Sequence, residues 1–149
     1  METMRETLNA ALKAAMIAKD SPRRDLIRQL LSAIKQVEID TQKDVANDDV
    51  LVILQKEAKR RREAIDEATK AGRQDIAESE QAELIIIESF LPQQLTLDEL
   101  KAIAAEIVAE VGATSAKDQG KIMGPLMARV KGLADGKLVN QAVREILNG

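Results

Sequence analysis

Apolar residues recur along this chain at offsets of three and four, which is the period of a helix with one buried face. Met4, Leu8, Ala11, Leu12, Ala15 and Met16 give the first such stripe and predict a helix over about 3–18. Ser21 and Pro22 read as the cap and first turn of a second helix, which carries Leu26, Ile27, Leu30, Leu31, Ile34 and Val37 and frays near Thr41. After the polar connection QKDVAND, Asn47 reads as the next cap, with Asp48 and Asp49 suited to the positive end of a helix dipole. Val50, Leu51, Ile53, Leu54, Ala58, Ile65 and Ala68 carry that helix to Gly72. A fourth helix is expected over about 75–91, with Ala77, Leu84, Ile87 and Leu91 inward and Pro92 closing it. Only Gly72 to Gln74 separate it from the third, so the two should fold back as a hairpin.

LPQQLT then reads as a linker. Thr96 and Glu99 have the spacing of a capping box ahead of Leu97, Leu100, Ile103, Ala104, Ile107, Val108 and Val111. GATSAKDQG reads as a loop in which Ser115 caps a short turn. Two short stripes follow, Ile122, Met123, Leu126, Met127 and Val130, and then Leu138, Val139, Ala142, Val143, Ile146 and Leu147, with Asp135 as the cap of the last helix. Pro125 cannot donate to the carbonyl four residues back, which predicts a kink near Gly120 to Gly124. Each of these segments is too short to be helical alone, so they must bury their stripes on one another. The expected architecture is all-α: a four-helix amino-terminal domain over 1–92 and a small three-to-four-helix domain over 93–149.

Composition narrows the chemistry. One aromatic residue, Phe90, in 149 requires an aliphatic core and removes base stacking as a binding mode. The absence of Cys and His removes disulfides, thiolate chemistry and the commonest proton shuttle and metal ligand. No phosphate loop, activated nucleophile or distinguishable acid and base pair can be picked out, so no enzyme activity, cofactor or metal is expected. The first twenty residues lack the layout of a secretory signal, and no stretch approaches the ~18 apolar residues of a membrane span. The expectation is therefore a cytoplasmic protein with no membrane partner.

Charge gives the candidate sites. The chain carries 22 basic and 25 acidic residues, a net charge of -3. Against that background 117–137 holds five cations, Lys117, Lys121, Arg129, Lys131 and Lys137, and two acids, a local excess that suits a polyanion as well as it suits a solvated helix face. KRRRE, by contrast, is surrounded by Glu57, Glu63, Asp66 and Glu67 and reads as a self-paired surface. Arg61 lies on the apolar line through Leu54, Ala58 and Ile65, and should be half-buried and bonded to Glu80 or Glu83 as an ion pair that sets hairpin register.

The strings KDQGKIMGPLMARVKGLADGKLVN and AGRQDIAESEQAELIIIESFLPQQLT resemble the GatB/YqeY family, specifically its small free-standing YqeY-like members, over about 4–147. Pro125 departs from that likeness, standing where a backbone donor is expected. In that family the carboxy-terminal part is related to the tail of the GatB subunit of the aspartyl/glutamyl-tRNA amidotransferase, which contacts tRNA. The resemblance implies a non-catalytic tRNA-binding or adaptor protein, despite the family's label as an amidotransferase-like carbon-nitrogen ligase using glutamine as nitrogen donor. The alternative is an interaction module that docks on an aminoacyl-tRNA synthetase or amidotransferase, or on itself, through an aliphatic groove between the two domains; an exposed apolar patch around Ile85, Ile86 and Phe90 would favour it.

Overall fold

The computed structural model describes residues 2–112 and 115–148. Among them the secondary structure is seven α-helices and one 3-10 turn, so the all-α expectation holds. Two compact units, Met1–Pro92 and Gln93–Gly149, each enclose their own core.

The first unit contains α1 (Met4–Ile17), α2 (Ser21–Thr41), α3 (Asn47–Lys70) and α4 (Gln74–Phe90). Thr3 and Glu6 form a reciprocal capping box at the start of α1, satisfying two amides that the helix itself leaves open. Asp20, not Ser21, caps α2: its Oδ1 accepts from the Arg23 amide at 3.2 Å, and a carboxylate suits the positive helix end better than a hydroxyl. Asn47 also departs from its expected role. Ala46 takes the cap position, and Asn47 lies inside α3 with its Oδ1 accepting from the Met4 amide at 2.7 Å. An open amide of the first helix competes successfully for that oxygen, and the bond joins the starts of α1 and α3. Gly72 adopts φ 71 in the turn between α3 and α4, where a side chain would strain the backbone.

Leu8, Leu26, Ile27, Leu30, Ile34, Val50, Leu54, Ala58, Leu84, Ile87 and Phe90 form the first core. Each fully buried Leu or Ile contributes roughly 1.5–3 kcal/mol. Phe90 is covered by the Arg23 guanidinium, 5.3 Å from the ring centre, a cation–π contact rather than an exposed platform. The connection after α2 is anchored, since Glu38 accepts both from Arg5 Nη2 at 2.9 Å and from the Val45 amide at 3.0 Å.

The second unit contains α5 (Leu97–Val111), the 3-10 turn Ala116–Asp118, α6 (Gln119–Arg129) and α7 (Gly136–Asn148). The Thr96–Glu99 capping box is complete in both directions. Of the expected loop GATSAKDQG, Ala113 and Thr114 lie outside the described residues, and its end is already helical from Ala116. α6 runs through Pro125 as one helix. Pro125 and Lys121 are both exposed, so the carbonyl that loses its donor is on the solvent side of the helix and water can take the donor's place. The stretch that reads as a linker is partly structured: Gln94 Nε2 donates to the Gly132 carbonyl at 3.1 Å, and the Leu95 amide to the Leu133 carbonyl at 2.8 Å. Asp135 starts α7, its carbonyl accepting from Val139 and its Oδ1 from the Lys137 amide. Leu100, Ala104, Ile107, Ile122, Leu126, Val130, Ala134, Val139, Ala142 and Val143 are the buried residues of this core.

Candidate nucleic-acid interface

The five cations of 117–137 sit on four different pieces of the second unit. Lys117 is exposed in the 3-10 turn, its amide donating to Ser115 Oγ at 3.3 Å. Lys121, in the first turn of α6, has its ammonium 3.4 Å from Asp118 Oδ1. Arg129, in the last turn, donates from Nη2 to Glu106 Oε2 of α5 at 2.6 Å. Lys131 is exposed just after α6, and Lys137 is exposed in the first turn of α7. Acids therefore hold Lys121 and Arg129 in ordinary surface ion pairs, which are individually weak.

What the fold brings together is a different set. Lys137, Asn140, Gln141 and Arg144 stand at offsets 0, 3, 4 and 7 along α7 and line one shallow surface depression. Among the described residues Lys137 and Arg144 make no ion pair; the neighbouring Glu145 is near Lys101 instead, at 3.8 Å. Val139, Ala142 and Val143 on the opposite face are completely buried, so packing fixes which way the polar face looks. Arg144 escaped the sequence reading because it lies beyond the basic run. The available signal was its spacing of seven from Lys137 on the polar side of a strongly amphipathic helix.

Arg61 lies in the first unit, with 12% of its side chain exposed. Its Nε donates to Glu83 Oε2 at 3.0 Å and its Nη1 to Glu57 Oε2 at 2.7 Å, while Nη2 donates to Gln29 Oε1 at 3.2 Å and Glu80 is 3.9 Å away. Burial opposes its charge, but the hydrogen bonds from Glu57 and Glu83 outweigh this and hold its pKa above the usual arginine value. Gln29, on α2, is the partner that hairpin register alone does not suggest. Of the proposed apolar patch, Ile85 is 60% exposed, whereas Ile86 packs against the core and Phe90 belongs to it.

Among the described residues no group of three or more Asp or Glu is arranged to hold a metal ion, and no helix is long and apolar enough to cross a membrane. Among the described residues the carboxyls of Glu38 and Asp75 and the guanidinium of Arg61 have shifted pKa values, each bonded to a partner of opposite charge, and all three belong to the first unit.

The chain is 41% identical over 105 residues to a protein of Lachancea thermotolerans called "Altered inheritance of mitochondria protein 41, mitochondrial", covering 70% of this chain and 54% of that one. The protein of the same name from Pyrenophora tritici-repentis is 33% identical over 147 residues, 94% of this chain and 78% of its own. That from Eremothecium gossypii is 36% identical over 110 residues, 72% and 60% respectively. The chain thus spans little more than half the length of the first of these. The relatives are named mitochondrial proteins, which overturns the expectation of a cytoplasmic location. That expectation rested on a test for secretory leaders, and a helical surface of mixed charge suits any aqueous compartment. Neither these names nor the family description states a catalytic activity. The model of the family described as "Yqey-like protein" matches residues 5–147, and the chain belongs to that family.

Proposed function

We propose that this is a non-catalytic tRNA-binding protein whose second unit meets RNA through the polar face of α7. The observation that carries this reading is the placement of Lys137 and Arg144, without acidic partners among the described residues, two turns apart on one face with Asn140 and Gln141 between them. Two cations about 10 Å apart along a helix are spaced to meet phosphates along a nucleic-acid backbone, and the amides add hydrogen bonds to sugar or base edges. Lys117 and Lys131 extend the positive surface, and Lys121 and Arg129 reach RNA by exchanging Asp118 and Glu106 for phosphate. The likeness to a tRNA-contacting amidotransferase tail supports tRNA as the RNA class. Without an exposed aromatic platform, recognition is by shape and charge, which makes binding weak and sensitive to salt.

The test is a salt titration of tRNA binding by the full chain. Lys137→Ala with Arg144→Ala should weaken binding about tenfold and reduce the salt slope by about 1 to 2. Lys121→Ala with Arg129→Ala should have a smaller effect on both, because acids already hold those side chains. Binding and slope that are unchanged in the α7 double variant would overturn the interface.

A further inference from the structure

The turn between α1 and α2 carries a feature that RNA contact by the second unit leaves unexplained. Between residues 13 and 28 the chain holds five cations, Lys13, Lys19, Arg23, Arg24 and Arg28, against Asp20 and Asp25, in a unit that is acidic overall. Arg24 is paired with Asp25 at 2.9 Å, and Asp20 is engaged as the cap of α2. Among the described residues Lys13, Lys19 and Arg28 make no ion pair. Lys19, Arg24 and Arg28 line one depression together with Ala15, Met16 and Ser21.

Beside those cations the last turn of α1 exposes apolar side chains. Ile17 is 75% exposed and Met16 51%, and Lys13, three and four residues back, lies angularly between them on the helix surface. Lys19 has φ 58 in a tight helix ending, closed by the Asp20 amide on the Ala15 carbonyl at 2.9 Å and the Lys19 amide on the Met16 carbonyl at 3.2 Å. That left-handed position is where glycine is the usual residue. A lysine is held there against the preference of the backbone, and it lines the same depression as Arg24 and Arg28.

We propose that this α1–α2 elbow is an attachment site for an anionic lipid surface, with Met16 and Ile17 entering the headgroup and acyl boundary and Lys13, Lys19 and Arg28 meeting lipid phosphates. The expectation of no membrane partner concerned spanning segments, and surface attachment needs none. A nucleic acid would gain nothing from a protruding isoleucine and methionine. An acidic peptide would need a groove to take Ile17, which instead stands clear of the depression that the cations line.

The test is co-sedimentation of the full chain with vesicles of phosphatidylcholine alone and of phosphatidylcholine mixed with phosphatidylglycerol. Binding is expected to the mixed vesicles only, and to fall with salt. Lys19→Gly removes a cation while easing the backbone, so a loss of binding in that variant cannot be assigned to misfolding. Combined with Arg28→Ala it should weaken binding at least about tenfold. Met16→Ser with Ile17→Ser should weaken it by a similar factor without changing the melting temperature. Lys137→Ala with Arg144→Ala should leave it intact, separating this site from the RNA face. No binding to mixed vesicles, binding indifferent to the elbow variants, or elbow variants that reduce binding only to tRNA or to an acidic peptide would each overturn the proposal.

Discussion

Arg61 shows what a charged side chain must find when its helix position is otherwise apolar. Its guanidinium is mostly withdrawn from water, and each of its nitrogens has an acceptor on α2, α3 or α4. Arg61→Ala would leave Glu57, Glu80 and Glu83 facing one another without a counter-charge, and should destabilise the chain by about 2 kcal/mol, read as a shifted urea midpoint. Arg61→Lys should recover only part of this, because an ammonium cannot reproduce the planar fork. Arg61→Met should cost less than Arg61→Ala, since it keeps the packing of the stem. A midpoint unmoved by Arg61→Ala would show that the network contributes nothing.

Elements in the first unit are tied by a carboxylate as well as by their core. Glu38 on α2 takes bonds from Arg5 on α1 and from the Val45 amide in the connection to α3, so one side chain links three pieces of chain. The Arg5 hydrogen bond first, and the Val45 amide second, hold its carboxyl below the usual glutamate range. A pKa lower in the folded than in the unfolded chain means that the unfolded chain binds the proton more readily. The stabilisation is therefore complete above the unfolded value and is lost as pH falls through the folded one. Asp75, held down by Arg73, acts in the same direction. Denaturation midpoints measured across the acid range should fall with pH in the natural chain and fall less steeply in Glu38→Gln. Equal slopes would remove Glu38 from the account.

Among the described residues the molecule has two sets of buried apolar side chains that share no member. Ile27 and Val139 are each completely buried, one in each set. Ile27→Ala should cost about 3 kcal/mol and Val139→Ala about 2 kcal/mol, from lost burial and the space left behind. Native-state hydrogen exchange should place the first loss in the amides of α1 to α4 and the second in those of α5 to α7. A uniform loss across all helices from either variant would mean that the two cores open as a single unit.

Much of this was legible in the sequence for one physical reason: helical packing is read from spacings of three and four, and capping from spacings of three. The all-helical class and the capping box at Thr96 depend on neighbours within a turn or two, so the chain announces them locally. Asn47 was misjudged because its partner, the Met4 amide, lies 43 residues away. The pairing of the basic run was hidden from the sequence for a similar reason. A count of charges along 117–137 cannot tell Arg129, held by Glu106 23 residues back, from Lys137, whose ammonium makes no ion pair among the described residues. Nor can it join Lys19 to Arg28 across a helix turn. Local order along the chain determined where the helices run and which face of each is apolar. Tertiary packing alone decided which cations stand clear of acids, because a charge is neutralised by whatever the fold brings near it and not by what precedes it in the chain.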